Sequence, residues 1–246
     1  MSLRTFANLD LEMRRKKAKK IADILGDRVE LNGAKVLDIG TGSGVCADYF
    51  ANHVVGPDGM VAAVDRDDQR LLKNNYHFEI IEGVKLPFES NFFDIVISNH
   101  VIEHVGFFSE QLMHLREISR VLKRTGTLYL AFPNKYTLIE PHYKLPFLSW
   151  LPQQFSDGYL KLTGRGKVFD CHAPSLSRFA DLLKEAELSG EEITEEILAY
   201  VVRNELAGGK RALAKFFFPF VAKFLMFIIP TRVYLLRKND SSITIY

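Results

Sequence analysis

Through the first 132 residues, short apolar runs alternate with longer stretches in which apolar positions recur every three or four residues. The short runs fall at 35–39, 61–64, 78–81, 93–98 and 127–132 and predict strands. The helical spacing falls at 44–52, 67–73 and 109–122. Ahead of them, 8–25 sets Leu9, Met13, Ile21, Ile24 and Leu25 among lysines and arginines, and Gly26 is a natural stop for such a helix. Strands apolar on both faces, each followed by a helix, predict an α/β fold with a mostly parallel sheet covered on both sides.

The pattern changes after residue 132. Residues 133–168 are rich in Pro, Tyr, Phe and Gly and predict an insertion after the fifth strand. A helix is expected over 174–187, a strand over 193–202, an apolar helical segment over 212–236 and a last strand over 242–246. No repeat or low-complexity linker interrupts the chain, so 1–246 reads as a single domain. Within it, 1–29 is a basic N-terminal helix, 30–132 a ligand-binding core, 133–173 an insertion covering the site, and 174–246 a C-terminal part.

Composition narrows the picture. The 246 residues are 47% hydrophobic and 25% charged, with a formal net charge of +2, as in an ordinary folded protein. That charge is too small to argue for nucleic acid. Cys46 and Cys171 lack paired spacing, which disfavours a disulfide framework or a thiolate zinc site. The N-terminus lacks the apolar core of a signal peptide, so a cytoplasmic setting is expected.

The chemistry concentrates after the first strand, in Asp38-Ile39-Gly40-Thr41-Gly42-Ser43-Gly44. Glycines between a strand and a helix permit a tight turn and let backbone approach a ligand closely. The spacing is G-x-G-x-G, not the G-x-G-x-x-G of pyrophosphate binding. Asp38 would repel a pyrophosphate but could receive an amino-acid ammonium, which favours S-adenosylmethionine over a dinucleotide. Asp65, closing the second strand, is placed to accept the hydroxyls of a ribose.

These residues resemble the class I S-adenosylmethionine-dependent methyltransferases, particularly the branch of ubiquinone and menaquinone biosynthesis. Val36-Leu37-Asp38-Ile39-Gly40-Thr41-Gly42-Ser43-Gly44 is similar to that family's first motif and Val64-Asp65 to its second. Glu82-Gly83-Val84-Lys85-Leu86-Pro87-Phe88 and Phe92-Phe93-Asp94-Ile95-Val96 resemble its later segments. The resemblance spans about residues 30–132 and implies a Rossmann-like seven-stranded sheet binding S-adenosylmethionine. It assigns cofactor contacts to Asp38, Gly40, Thr41, Gly42, Gly44, Asp65, Arg66, Glu82, Gly83 and Asn99. The activity implied is methyl transfer to a small or lipid-like acceptor, at oxygen rather than carbon or nitrogen. The alternative is a non-catalytic binding or scaffold protein of the same fold.

Ligands of open α/β sheets bind beyond the carboxyl ends of the strands, where Ser98-Asn99-His100-Val101-Ile102-Glu103-His104 would face the reactive methyl. His104 is a candidate general base, and His142 in the insertion a second. Each equally suits a structural role, capping a turn or holding a loop. No residue is assigned to a metal. The alternative places His100, Glu103 and His104 on one helical face, with His142 or His172 as a distant ligand. For 212–236, three readings stay open: contact with a membrane interface, lining of a pocket for a greasy acceptor, or packing on the sheet or a homodimer partner.

Overall fold

The computed structural model describes residues 11–205 and 229–239. Helix α1 (Leu11–Gly26) leads into β1 (Lys35–Ile39), α2 (Val45–His53), β2 (Met60–Asp65), β3 (His77–Ile80) and β4 (Phe93–Asn99). Helix α3 (Phe108–Val121) runs straight into β5 (Leu122–Pro133), which starts earlier than its apolar run suggests. The insertion holds a small hairpin, β6 (Ile139–Glu140) with β7 (Leu145–Pro146), and then α4 (Gln153–Leu162). The chain returns through α5 (Leu176–Glu185), β8 (Leu188–Glu192), α6 (Thr194–Asn204) and β9 (Thr231–Lys238).

The seven-stranded sheet has the order β3-β2-β1-β4-β5-β9-β8. Strands β1 to β5 are mutually parallel, and β9 runs antiparallel to both β5 and β8. Because side chains alternate across a strand, Leu37, Ile39 and Val96 enter one core layer with Leu115 and Ile118 of α3 and Phe179 and Leu182 of α5. Val36, Ile95 and Ile97 enter the opposite layer with Ile21 and Leu25 of α1 and Phe50 of α2. Both faces are thus covered, as the doubly apolar strands require. The chain leaves β1 toward β2 on one side and reaches β4 on the other, so a crevice opens beyond the carboxyl ends of β1 and β4.

Three expectations are corrected. Residues 67–73 are not helical: the Asp68 carboxylate binds the backbone N–H of Arg70 at 3.1 Å and its Nε at 2.9 Å, diverting that backbone from a helix. Leu71 N–H is meanwhile drawn to the Ser43 carbonyl at 2.9 Å. Residues 194–202 belong to α6, with Ile193 at its N-cap, and the strand lies earlier, at Leu188–Glu192. There Ile193 and Ile197, one helical turn apart, pack on the core, and Glu195 and Glu196 stand in the first turn. The segment expected as helix over 212–236 ends in the strand Thr231–Lys238, while 212–228 and 242–246 lie outside the described residues. No helix among the described residues is long and apolar enough to cross a membrane.

Candidate active site

The loop after β1 is stitched to the end of β2. Gly40 N–H and Thr41 N–H both donate to the Val64 carbonyl, at 2.8 and 3.3 Å. Gly40, Gly42 and Gly44 all hold positive φ, at 69°, 55° and 77°. A Cβ on Gly40 would stand 2.5 Å from Val101 Cγ2, so this position must stay bare for the β4 exit to close on the loop. The outer side of Gly42 is open, with Arg14 Nη1 at 4.0 Å from where a Cβ would be.

Two carboxylates flank the loop. Asp38 is buried and accepts a hydrogen bond from Thr41 Oγ1 at 2.7 Å. Burial, reinforced by the nearby Asp65 charge, raises its pKa to about 7 although the Thr41 bond opposes this. Asp65 accepts from Gly42 N–H through one oxygen and from Arg66 N–H through the other, both at 2.7 Å. Arg66 itself is exposed. Ile81 N–H donates to the Asp65 carbonyl at 2.9 Å, bringing the exposed turn of Glu82 and Gly83 beside the end of β2. Gly83 has φ of 70° and open space around it.

Asn99 closes β4, and its buried Oδ1 has no hydrogen-bond partner among the described residues; the same holds for Ser43 Oγ in the glycine loop. Unmet buried polar atoms beside a bare glycine cradle and two acids fit a polar nucleoside bearing an amino-acid group. Sequence reasoning missed the contribution of α1. Arg14 lies over Gly42, and Lys17, one turn on, opposes both Asp38 and Glu103. Lys17 is reached by solvent yet crowded by protein, which lowers its pKa to about 8. These cations face the cleft because Ala18 and Ile21 dock the adjacent stripe of α1 into the core. Only that spacing, read within a basic run, could have signalled it.

Beyond β4 the chain forms a single short turn, Ile102–His104, rather than a helix. His100 sits in the left-handed region at φ 61°, and its Nδ1 lies 3.1 Å from Glu103 Oε1. Glu103 is fully buried, and its Oε2 has no hydrogen-bond partner among the described residues. Burial favours the neutral carboxyl, but the His100 hydrogen bond and the charges of His100 and His104 together hold the pKa below the usual range. The insertion supplies His142, whose Nδ1 lies 2.8 Å from Oε1 of buried Glu140. Burial works against protonation of His142, yet the Glu140 hydrogen bond and the charges of Glu140, Glu103 and Asp170 together raise the pKa.

The insertion therefore brings its histidine to the β4 exit. The His142 ring stands edge-on to His104 with centroids 5.1 Å apart, and 6.2 Å from that of His100. Asp170 clamps the arrangement: its carbonyl lies 3.2 Å from His104 Nδ1, and its carboxylate accepts from Tyr143 Oη at 2.6 Å. A carbonyl only accepts, so His104 carries a proton on Nδ1. His172 N–H donates to the Glu103 carbonyl at 2.7 Å, but the His172 ring packs tilted against Phe107 instead, with centroids 4.5 Å apart. Ligand atoms of His100, Glu103 and His142 lie within 4.8 Å of one another, as do those of Glu140, His142 and Cys171, so either set could close on a divalent cation.

Residues 37–130 match the methyltransferase domain family. The chain is 33% identical over 115 residues to the ubiquinone/menaquinone biosynthesis C-methyltransferase of Ectopseudomonas mendocina, covering 41% of this chain and 43% of that one. It is 31% identical over 118 residues to the arsenite methyltransferase of Aquipseudomonas alcaligenes, covering 41% and 33%. The chain thus spans less than half the length of these curated relatives. Its fold is similar to that of an S-adenosylmethionine-dependent methyltransferase from Mesorhizobium loti, with a TM-score of 0.59 at 15% identity over 91% of this chain and 100% of that one. Over residues 37–130 the chain is thus similar to the class I S-adenosylmethionine-dependent methyltransferases, whose cofactor is S-adenosylmethionine.

Proposed function

We propose that this chain transfers a methyl group from S-adenosylmethionine to a hydroxyl oxygen of a small or lipid-like acceptor. The observation that carries this reading is the meeting of His104 and His142, 5.1 Å apart, at the β4 exit next to the glycine cradle. S-adenosylmethionine supplies an electrophilic methyl on a sulfonium that carries its own leaving group. Asp38, Asp65 and the bare glycines hold the nucleoside and amino-acid ends, with Glu82 and Gly83 at the base and Asn99 near the methyl. Arg14 and Lys17 add positive charge over the amino-acid carboxylate. His142, its Nδ1 engaged by Glu140, receives the acceptor proton as the new O–C bond forms. Residues 133–173 cover the acceptor within the single domain and exclude water, so alignment supplies much of the rate.

The orphaned Glu103 Oε2 favours a second reading, in which a divalent cation held by His100, Glu103 and His142 polarises the acceptor oxygen. Calorimetry with S-adenosylhomocysteine, followed by a screen of phenolic, quinol and lipid hydroxyl acceptors with and without chelator, tests both. Methylation of hydroxyls that survives chelation supports the histidine reading; loss on chelation and return with added zinc or manganese moves the role to the cation. Cofactor binding without turnover of any hydroxyl acceptor counts against both.

A further inference from the structure

The insertion turns an unusual amount of apolar surface outward. Leu138 and Ile139 enter the small hairpin, Phe147 leaves it, and Trp150 and Leu151 follow, all of them exposed. Ile139 pairs with Pro146, and Phe147 N–H donates to the Leu138 carbonyl at 2.8 Å, so these side chains belong to one structural unit. The Trp150 ring meets Tyr136 and Phe147 edge-on, at 6.1 and 5.3 Å between centroids. Trp150 Nε1 donates inward to the Thr137 carbonyl at 2.9 Å, which satisfies its polar end while the residue remains 41% exposed. Phe147 holds a left-handed φ of 56°, a conformation costly for a bulky side chain, and yet the residue is 50% exposed. A contiguous exposed patch of large aromatic and aliphatic groups marks an interaction surface.

Charge points to the partner. Between residues 135 and 168 the basic side chains are Lys135, Lys144, Lys161, Arg165 and Lys167, against the acids Glu140 and Asp157. Both acids are engaged within the fold. Glu140 is buried against His142 and Tyr143 N–H, and Asp157 accepts from Phe169 N–H at 2.7 Å. The outward charge is therefore basic, while Tyr and Trp rings suit the headgroup level of a bilayer and long lysine stems reach lipid phosphates from below it. We infer that this face of the insertion, centred on Phe147 and Trp150, docks on an anionic lipid surface. Aromatic rings enter the interface and the exposed lysines of the insertion, Lys144, Lys161 and Lys167, pair with the headgroups. The inference does not depend on methyl transfer.

Trp150 is the only tryptophan in the chain, so its emission reports on this patch alone. The full-length protein is titrated with phosphatidylcholine vesicles containing or lacking phosphatidylglycerol, and then with vesicles carrying brominated acyl chains. Anionic vesicles should shift Trp150 emission to the blue, bromine should quench it, and rising salt should release the protein. Phe147→Asn removes the ring while supplying a residue that tolerates the left-handed backbone, and should weaken partitioning about tenfold or more with the thermal transition retained. Unchanged emission with anionic vesicles overturns the proposal. So does partitioning that Phe147→Asn leaves intact, which would assign binding to another segment. Trp150 already shielded from acrylamide in lipid-free protein overturns it too, since a second copy or another part of the chain would then cover the patch.

Discussion

The carboxylate of Asp65 accepts the Gly42 N–H at 2.7 Å, tying the acid at the end of β2 to the middle of the glycine loop. One group thereby fixes the loop and, in the proposed site, keeps oxygen lone pairs for a ribose. Replacing Asp65 by alanine removes both functions. Charge-assisted hydrogen bonds contribute about 1.5–3 kcal/mol each, so affinity for S-adenosylhomocysteine should fall at least about tenfold. Calorimetric titration of Asp65→Ala, with circular dichroism to check folding, measures it. An affinity equal to that of the parent would remove Asp65 from the cofactor site.

In the proposed site, Asp38 should make that binding sensitive to pH. Its pKa of about 7 in the free protein means that it is largely protonated below neutrality, whereas an ammonium group is received by the carboxylate. Binding at low pH must then expel a proton. Affinity for S-adenosylhomocysteine should be flat above pH 7 and decline toward about tenfold per unit below it. Asp38→Asn should bind weakly with no such slope. The stability sign is the opposite of a salt-bridged carboxylate: the folded pKa is raised, so the folded chain holds the proton more tightly. That contribution is complete at acid pH and is lost as pH rises through about 7. A binding profile flat from pH 5.5 to 8, a range about the ordinary histidine and Asp38 values, would count against the assignment.

Gly44 and Gly83 separate backbone strain from collision. Both have positive φ, 77° and 70°. A Cβ on Gly44 would run into the Tyr76 hydroxyl and the Leu72 carbonyl, whereas Gly83 has open space around it. Gly83→Ala should therefore cost only the left-handed backbone term, about 1 kcal/mol. Gly44→Ala adds an overpacking term of about 1–3 kcal/mol and should also weaken cofactor binding. Urea unfolding of the two variants measures the difference. Equal losses would show that the Tyr76 segment yields freely.

What could be read from the chain follows the range of the interactions involved. The glycine turn, Asp38, Asp65 and the strands around them depend on local turn chemistry and on short apolar runs, and the mostly parallel seven-stranded sheet matches the expectation. The 67–73 stretch was misjudged because one carboxylate, Asp68, captures the backbone that apolar spacing alone would coil. The 193–202 stretch reads equally as strand or helix until Ile193 and Ile197 find the core. Arg14 and Lys17 look like part of a solvated charge run, and only the docking of α1 turns them toward the cleft. The meeting of His142 with His104 spans 38 residues, through α3 and β5 into the insertion, and is clamped by Asp170, which no local pattern encodes.

His142 offers the sharpest test of the chemistry. As a general base it must be neutral when the acceptor arrives, yet its bond to Glu140 raises its pKa above the ordinary value. The rate should then rise with pH through a limb above that of a free histidine. Glu140→Gln keeps an oxygen for Tyr143 N–H but withdraws the negative charge, so the limb should move to lower pH. Imidazole NMR titration of His142 should move the same way without any acceptor present. His142→Ala should lower kcat by about 10²–10⁴ while leaving S-adenosylhomocysteine affinity within a few-fold of the parent. A Glu140→Gln variant whose rate profile and imidazole titration both coincide with the parent's would leave His142 as a loop anchor, and an undiminished kcat in His142→Ala would point to alignment alone as the source of the rate.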